Sequence, residues 1–332
     1  MATDTSNATI SALVVPTHGG PEVLEVQQRP APEPGPGQLL VEVAASGVNY
    51  KDVYEREGSY PRQTPFVLGD ELAGRVLALG DRVEGFAVGD AVASAKALGA
   101  HASRAVVDAA QAVPVPDHLD LEIAAAAMVQ GITAHYLLNS SYRLGSGETA
   151  LVHAAAGGTG QLLVQLAKAK GARVIATVGT AAKAEIATAL GADHVVRYDQ
   201  TDDLAAAVRD VTGGVGVDVV YDGVGRATFD ASLAALRRRG MLVLFGASSG
   251  AVPPVDPQRL NSGGSLYLTR PTLAHFTAER AELSWHASEV FGAIADGSLR
   301  VQIGGRYPLE RAGDAYRDLE GRRTTGKLLL VR

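Results

Sequence analysis

The chain has 332 residues, of which 46% are hydrophobic and 20% are charged, and its formal net charge is −6. This length predicts two domains, and the hydrophobic share excludes intrinsic disorder. The negative charge argues against a nucleic-acid partner, because nucleic acids select basic surfaces. The chain contains no cysteine, which excludes disulfides, thiolate nucleophiles and cysteine-ligated metal sites.

No segment is predicted to enter a membrane or to direct secretion. The first ten residues, MATDTSNATI, lack the basic-then-apolar pattern of a signal peptide. No apolar run approaches the roughly 20 residues that a membrane span needs. A chain without cysteine also suits a reducing compartment. We therefore expect a cytoplasmic protein without a membrane partner.

Residues 9–115 are predicted to be mostly β. Short β-rich runs such as TISALVVP (9–16) and QLLVEVAASGV (38–48) alternate with turns rich in Gly and Pro. This texture is typical of a partly open barrel or a sandwich. The alanine-rich segment LEIAAAAMVQGITAHYLLNSS (121–141) then predicts a helix that bridges two domains.

Residues 149–246 alternate between strand and helix signals. Apolar, β-branched runs predict strands at 149–155, 173–179, 194–198, 217–224 and 241–246. Several of the helices between them are predicted to end at a left-handed glycine, namely Gly171, Gly191 and Gly240. This order is typical of βαβ units whose parallel sheet is covered on both faces.

The remaining segments complete the predicted fold. SLYLT (265–269) predicts a sixth strand, 277–296 a long helix, and KLLLV (327–331) a strand that returns to the first domain. The three arginines of FDASLAALRRRG (229–240) are interpreted as the solvated end of a helix, where the dipole favours cations. The predicted fold class is α/β, with a Rossmann-type doubly wound parallel sheet domain and a mainly β domain.

The stretch Leu151–Lys168, LVHAAAGGTGQLLVQLAK, carries the strongest functional signal. A strand, a glycine turn and a helix in this order direct backbone N–H groups and the positive end of a helix dipole toward a pyrophosphate. A turn that serves only strand–helix packing is the alternative. The βαβ series that follows favours cofactor binding by the residues of this turn, which are Ala156, Gly157, Gly158, Thr159 and Gly160.

The turn after the second strand of this series predicts which dinucleotide binds. Enzymes that prefer NAD carry an acidic residue about 20 residues beyond the glycines, where it bonds the ribose 2′-hydroxyl. Here Gly179 and Thr180 stand in that place, and the next carboxylate is Glu185. Lys183 is placed to pair with a 2′-phosphate. We therefore predict NADPH as the cofactor.

Five motifs point to a family: GVNYKDVYEREGSYP (47–61), LGDELAGRV (68–76), HAAAGGTGQLLVQLAK (153–168), VVYDGVGRATFDASLAALRRRGMLVLFGASSGAV (219–252) and GSLYLTRPTL (264–273). In them the chain resembles the zinc-independent quinone oxidoreductases of the medium-chain dehydrogenase/reductase superfamily, a group that includes zeta-crystallin, and looks closest to the bacterial NADPH:quinone reductases. The resemblance covers nearly the whole chain. It implies a GroES-like catalytic domain (1–126 and 297–332), a Rossmann-type NADPH-binding domain (127–296) and a homodimer paired through the last cofactor-domain strand.

The resemblance also implies site residues. Asn49, Tyr54 and Tyr60 fall in the family's substrate segment, where such side chains can donate hydrogen bonds to a quinone oxygen. Arg270 is assigned to the catalytic set with them. The implied cofactor contacts are Thr133 beside the nicotinamide, Gly246, Ser248 and Ser249 near its ribose, and Tyr198 and Arg322 at the 2′-phosphate. The alternatives are a polar loop with packed tyrosines, a helix threonine bonded to its own backbone and an arginine at a strand end.

Zinc is not expected. Zinc-dependent members of the superfamily place a cysteine ligand where this chain has Asn49 and a histidine where it has Asp70. Without a Lewis acid, alcohol oxidation loses its means of lowering the hydroxyl pKa, whereas an electrophilic acceptor can still take a hydride. We therefore predict an NADPH-dependent reductase of quinones. An alkenal, enone or enoyl-thioester reductase is the enzyme alternative, and a cofactor-bound structural or RNA-binding protein is the non-enzyme alternative.

Overall fold

The computed structural model describes residues 9–332. The described chain divides into two compact units. The first comprises the residues up to Val129 together with Glu279–Ala295 and Val301–Arg332, and the second comprises Gln130–Ala278 and Asp296–Arg300.

Short strands and helices follow one another along the whole described chain. The strands are β1 (Thr9–Val15), β2 (Glu25–Pro30), β3 (Gln38–Val48), β4 (Phe66–Val67), β5 (Leu72–Leu79), β6 (Ala91–Ser94), β7 (Arg104–Asp108), β8 (Val113–Pro114), β9 (Thr149–Val152), β10 (Arg173–Val178), β11 (His194–Arg197), β12 (Val217–Asp222), β13 (Leu236–Leu244), β14 (Tyr267–Thr269), β15 (Ile303–Pro308) and β16 (Lys327–Val331). The α-helices are α1 (Tyr50–Arg56), α2 (Leu121–Tyr136), α3 (Gly158–Ala169), α4 (Ala181–Ala189), α5 (Leu204–Val211), α6 (Phe229–Ala235), α7 (Gln258–Ser262), α8 (Leu273–Phe276), α9 (Arg280–Ala295) and α10 (Ala312–Glu320).

The first unit is built on a mixed sheet with the order β15-β16-β3-β5-β6-β8, in which β7 also pairs with β3. A smaller sheet has the order β2-β1-β4. Alternate residues of β3, namely Leu39, Val41 and Val43, enter one core, as the period of a strand requires. The strand β16 lies antiparallel to β3, which confirms that the C-terminal run KLLLV returns to this unit.

The second unit is a parallel six-stranded sheet with the order β11-β10-β9-β12-β13-β14. Numbered from β9, this order is 3-2-1-4-5-6, the arrangement of a Rossmann-type dinucleotide fold. The order reverses between β9 and β12, and ligands bind at the carboxyl ends of the strands at such a switch point. Consequently the glycine turn after β9 lies where a dinucleotide would bind, and the predicted fold class is confirmed.

The segment with three arginines is not the end of a helix. Helix α6 ends at Ala235, and Leu236 already pairs with Val217 in the sheet, so the arginines belong to β13. Arg237 donates to Asp218 on the neighbouring strand at 2.6 Å. Sheet pairing and this ion pair override the helical propensity of the segment. Gly240 is therefore a strand residue and caps no helix, whereas Gly171 and Gly191 follow α3 and α4 in the left-handed conformation, as predicted.

Helix α9 groups with the first unit, unlike the expected boundary at residue 297. Its first residue, Arg280, donates to the carbonyl of Ala112 and lies over the ring of Phe86, and both of these residues belong to the first unit. The division into functional domains at 1–126 with 297–332 and at 127–296 stays a prediction.

One helical segment is longer and more apolar than the sequence analysis allowed. Helix α2 continues as a π-helical turn. The resulting 21 residues, from Leu121 to Ser141, are long and apolar enough to cross a membrane. However, 67% of its most apolar window is buried inside the protein. The core helix of a soluble protein has the same composition, so the segment is weak evidence for a membrane.

Candidate functional site

The glycine turn joins β9 to an open helix N-terminus. Gly157 occupies the N-cap position of α3 in an extended conformation, and no side chain caps the helix there. The first N–H groups of a helix have no acceptor within the helix. Gly157, Gly158 and Thr159 are only half-buried. This arrangement leaves backbone donors and the positive end of a helix dipole available to an anion.

Close contacts explain why the turn needs glycine. A Cβ at Gly160 would lie 2.3 Å from the carbonyl oxygen of Ala154, whereas one at Gly157 would lie 3.1 Å from the same atom. Ala154 itself adopts a left-handed φ of 49°. The side chain of Gln161 donates to the carbonyl of Ala156 at 2.8 Å and holds the turn from the helix side. The turn can hold a pyrophosphate of the predicted cofactor.

The residues predicted to choose the cofactor lie after β10. Gly179 and Thr180 are exposed, and the Thr180 hydroxyl accepts from the Lys183 N–H at 3.3 Å, which places Lys183 in the first turn of α4. A Cβ on Gly179 would have Tyr198 Cδ2, at 4.0 Å, as its nearest neighbour. Hence the structure brings Gly179 and Tyr198 side by side, as binding of one 2′-phosphate requires.

The Tyr198 hydroxyl connects this region to the glycine turn. It accepts from the Ala154 N–H at 3.3 Å, lies 2.5 Å from Thr177 Oγ1 and lies 3.3 Å from Nδ1 of His153. His153 Nδ1 also lies 2.8 Å from Thr177 Oγ1. His153 is buried, and burial lowers its imidazole pKa, although the charge of Asp222 opposes this shift. The histidine is therefore neutral near pH 7.

The network continues inward to Asp222 at the end of β12. His153 Nε2 lies 2.9 Å from Ser232 Oγ, and Ser232 donates to Asp222 Oδ2 at 2.8 Å. The same oxygen accepts from the Thr228 hydroxyl at 2.7 Å. The other carboxylate oxygen accepts from the N–H groups of Val224 and Gly225 at 2.8 and 3.0 Å. A buried carboxylate with four donors is fully satisfied.

The loop after β13 is tied to the loop after β12. A Cβ at Gly246 would lie 2.5 Å from the carbonyl oxygen of Gly223, so only glycine allows this approach. The Ser248 N–H donates to Gly223 at 3.2 Å, and the Ser249 hydroxyl donates to the Val224 carbonyl at 2.7 Å. Ser249 thus serves the loop itself, and the predicted contact of these residues with a ribose stays a prediction.

Thr133 and Arg270 both interact with the buried side chain of Tyr136. Burial raises the pKa of Tyr136, and the charge of Arg270 and a hydrogen bond with the Thr133 side chain oppose that rise. The ring of Tyr136 stacks on Phe276 with 4.3 Å between the ring centroids. The sequence analysis did not single out Tyr136, whose helical, apolar context predicts only a core residue.

In the first unit, Asn49 belongs to a buried polar triad. Its Nδ2 donates to Glu71 at 2.8 Å and to the Gly47 carbonyl at 3.1 Å, and its Oδ1 accepts from Lys327 at 2.7 Å. Lys327 also donates to Glu71 at 2.5 Å. Both amide hydrogens of Asn49 are thus engaged, so donation to a quinone would require one of these bonds to break. The catalytic role of Asn49 stays a prediction.

Tyr54 and Tyr60 lie together near the start of the chain. Their ring centroids are 5.2 Å apart, and Tyr60 is 41% exposed. Helix α1 carries Tyr54 and begins after Asn49, whose N–H donates to Asp52 at 2.8 Å. The predicted substrate segment therefore forms one short structural unit of a helix and an aromatic pair. Arg322 also lies in the first unit, whereas Gly179, Lys183 and Tyr198 lie in the second.

Asp70, which stands where zinc-dependent relatives carry a histidine ligand, forms ion pairs with basic side chains. Lys51 donates to Asp70, and Arg62 lies 3.8 Å from it. Burial raises the pKa of Asp70, and the Lys51 ammonium opposes part of that rise. Within residues 9–332 no group of three or more His, Asp or Glu side chains is arranged to hold a metal ion. The absence of bound zinc stays a prediction.

The sequence analysis missed the partners that hold the predicted residues. Glu71 and Lys327 are fully buried charges, as is Asp222. A charged residue inside an apolar run is the signal that would have found Lys327, because KLLLV begins a buried strand with a lysine. No such local signal existed for His153, which lies in a turn.

Comparison with known proteins identifies relatives over the full length. A family model described as zinc-binding dehydrogenase matches residues 158–285, and one described as alcohol dehydrogenase GroES-like domain matches residues 35–117. Quinone oxidoreductase 1 of Escherichia coli (strain K12) is 43% identical, over 95% of this chain and 97% of its own length. The 2-haloacrylate reductase of a Burkholderia species is 38% identical, over 97% and 99% of the two chains.

A solved structure extends the comparison to three dimensions. A mycobacterial protein complexed with NADPH is 51% identical and superposes with a TM-score of 0.94, over 97% of this chain and 100% of that one. The motifs, the strand order and these relatives agree with one another. The chain therefore belongs to the quinone oxidoreductase family of the medium-chain dehydrogenase/reductase superfamily.

Proposed function

We propose that this chain is an NADPH-dependent oxidoreductase that reduces quinones without a metal. The observation that carries the proposal is the open N-terminus of α3 behind the glycine turn. Gly179 and Thr180 stand where an NAD enzyme would carry an acid, and Lys183 follows them. Quinone oxidoreductase relatives and an NADPH-complexed neighbour support the same reading.

The residues have separate tasks in this reaction. The bound nicotinamide supplies the hydride, which is the chemistry that the protein itself cannot provide. The N–H groups at the start of α3 would hold the pyrophosphate, and Lys183 and Tyr198 would hold the 2′-phosphate. Thr133 would lie beside the nicotinamide, and Arg270 is proposed as a catalytic residue. Binding of both reactants supplies proximity and orientation, which lower the barrier.

The substrate is proposed to meet Tyr54 and Tyr60. Tyr60 is half exposed, and its ring packs against Tyr54, so the pair offers an apolar surface and Tyr60 offers a hydroxyl donor. A hydroxyl donor stabilises the charge that develops on a quinone oxygen during hydride transfer. Asn49 positions α1 and, through its triad, the segment that carries these tyrosines. The proton that completes reduction comes from solvent.

Substitution of Lys183 tests the cofactor site. Lys183→Ala is expected to raise the KM for NADPH about tenfold, because a charge-assisted hydrogen bond contributes about 1.5–3 kcal/mol and partial exposure favours the lower end. The kcat should change little, since the 2′-phosphate is bound alike in the ground and transition states. The KM for NADH should not change. Glu185→Ala on the same helix is the control, and an equal loss for both cofactors would assign Lys183 to helix structure instead.

A second enzyme reading is reduction of activated alkenes. The 2-haloacrylate reductase relative favours it, since that enzyme's name describes an alkene acid as its substrate. Oxidation of NADPH, followed by nicotinamide absorbance with a panel of quinones and a panel of enones, separates the two. Turnover of enones alone would replace the quinone proposal. Binding of NADPH without turnover of either panel would favour the non-enzyme reading.

We further propose a cytoplasmic homodimer with no nucleic-acid or membrane partner. The strand β14 forms the edge of its sheet, and Tyr267 on it is 53% exposed. An uncovered edge strand invites pairing, and a twofold axis would pair β14 with its copy. Light scattering at micromolar concentration is expected to give the mass of two chains. A monomeric mass would contradict the dimer.

A further inference from the structure

We infer that the Asp222 carboxylate and the cofactor's 2′-phosphate compete for the hydrogens of one chain of hydrogen bonds, which makes Asp222, Ser232 and His153 positioning residues for cofactor choice. The inference rests on the proposed contact between Tyr198 and the 2′-phosphate. It concerns Asp222, Ser232 and His153, which are buried behind that contact.

The inner end of the chain has a defined direction. A carboxylate only accepts hydrogen bonds, so Ser232, at 2.8 Å, must give its hydrogen to Asp222. Ser232 then has no hydrogen left for His153, and its oxygen accepts from His153 Nε2 at 2.9 Å. The imidazole is therefore the Nε2–H tautomer, and Nδ1 is an acceptor.

The direction of the hydrogen bonds at the outer end, among His153, Thr177 and Tyr198, follows from the same count of hydrogens. His153 Nδ1 accepts from the Thr177 hydroxyl at 2.8 Å, the shorter of its two contacts. Each of these hydroxyls can rotate to donate or to accept, so once Thr177 gives its hydrogen to His153, the 2.5 Å contact between the Thr177 and Tyr198 oxygens takes the hydrogen of Tyr198. Without a cofactor the phenol hydrogen thus points inward, and every hydrogen of the chain points toward Asp222.

A 2′-phosphate reverses this direction, because it is itself an anion that only accepts. The Tyr198 hydrogen turns outward to the phosphate, Thr177 donates to Tyr198, and His153 donates to Thr177 from Nδ1. Ser232 then donates to His153 Nε2. The number of protons is unchanged: one moves from Nε2 to Nδ1 of the ring, and three hydroxyl groups rotate.

The reversal costs the inner carboxylate one hydrogen bond. Asp222 loses the donation from Ser232 but keeps those of Thr228, Val224 and Gly225. All of these groups are buried or nearly so, and a hydrogen bond that is lost there is costly because no water replaces it. NADH has no 2′-phosphate and leaves the chain pointing inward, so the network opposes NADPH specifically.

The substitution Asp222→Asn reverses the direction of the hydrogen bond between residue 222 and Ser232, because asparagine has the same shape as aspartate but carries a donor. The amide nitrogen in place of Oδ2 donates to Ser232, so Ser232 donates to His153 and the whole chain points outward. We expect the ratio of NADPH to NADH affinity to rise about fivefold, equivalent to about 1 kcal/mol at 1.4 kcal/mol per decade. Ser232→Ala, which disconnects Asp222 from the chain, should raise the ratio in the same direction. Thr228→Val tests the opposite direction: it removes the other donor to the same Asp222 oxygen, so losing the Ser232 donation becomes costlier and the ratio should fall.

The tautomer itself is read by NMR of the imidazole nitrogens in protein with isotope-labelled histidine. In the wild-type protein, NADPH is expected to move His153 from Nε2–H to Nδ1–H, and NADH is not. In Asp222→Asn the Nδ1–H form should be present without cofactor. One tautomer under both cofactors, with an unchanged affinity ratio in Asp222→Asn and Ser232→Ala, would overturn the inference.

Tyr198→Phe distinguishes failure of this inference from failure of the proposed site. It should lower the affinity ratio, abolish the tautomer change and remove the effect of Asp222→Asn in the double variant. If Tyr198→Phe alone leaves the ratio unchanged, the 2′-phosphate does not contact Tyr198, and the proposed placement is wrong. If it lowers the ratio while His153 of the wild-type protein keeps the Nε2–H tautomer with NADPH bound, only the competition is wrong.

Discussion

At the scale of single residues, Gly179 offers the most direct control of cofactor choice. Its φ is not in the left-handed region, and a Cβ there would meet only Tyr198 at 4.0 Å. Gly179→Asp should therefore fold normally, place a carboxylate beside the 2′-phosphate and reverse the preference toward NADH. The ratio of kcat/KM for the two cofactors measures this. Gly179→Asn, similar in size but uncharged, is the control and should keep most of the NADPH preference.

Single titrating residues also predict how stability depends on pH. Burial lowers the pKa of His153 and of His286 in the folded protein, although the Asp222 charge opposes the shift at His153, and Glu282 opposes it at His286. Below the unfolded pKa of about 6.5, the unfolded chain then binds more protons than the folded one, so the free energy of unfolding falls as the pH falls. Urea unfolding at pH 7 and pH 5 should show this loss, and His153→Gln should reduce it. A stability that is constant across this interval would contradict the neutral, buried state of these histidines.

At the scale of elements, the junction of β9 and α3 depends on one close approach. Gly160→Ala would force a Cβ to within 2.3 Å of the Ala154 carbonyl oxygen, so the turn must open, and NADPH affinity should fall at least tenfold. Gly157→Ala is the matched variant. Its Cβ would lie 3.1 Å from the same carbonyl oxygen, and Gly157 has an extended backbone that any residue can adopt. Calorimetric titration with NADPH compares them. Unchanged NADPH affinity in both variants would show that the helix N-terminus is not the pyrophosphate site.

Elements also show where sequence patterns fail. The strands of both units follow their apolar periods, as the pairing of β16 with β3 illustrates. Residues 236–240 are predicted from the sequence to be the end of a helix but form the start of β13, because the neighbouring strand β12 supplies a paired backbone and the partner Asp218. Local propensity is worth a few tenths of a kcal/mol per residue, less than a ladder of hydrogen bonds with a buried strand.

At the scale of the whole molecule, the triad of Asn49, Glu71 and Lys327 joins the C-terminal strand β16 to residues from the first quarter of the chain. Lys327→Met would leave the Glu71 carboxylate buried without a cation, and we expect a loss of about 3–5 kcal/mol in the free energy of unfolding. Glu71→Gln combined with Lys327→Met should recover most of it, since no charge then stays buried. Chemical denaturation measures both.

An exposed ion pair provides the control for that prediction. Arg332 and Glu42 are each about half exposed, so Arg332→Met should cost about 1 kcal/mol or less. A loss in Lys327→Met no larger than this would show that Glu71 does not depend on the Lys327 cation in the folded protein. The activity of the double variant then tells whether the triad serves the substrate segment or stability alone.

The sequence by itself determined the two-part α/β architecture, the glycine turn, the missing acid at Gly179 and the family, because each is written in a period or in neighbouring residues. Only the tertiary structure decided the hydrogen-bond partners. Lys327 and Asn49 lie 278 positions apart, and His153 meets Ser232 across 79. Burial deprives such polar groups of water and forces them to find one another in the folded chain, whatever their separation in sequence. For that reason the partners that hold Asn49 and Tyr198 could not be predicted from local patterns.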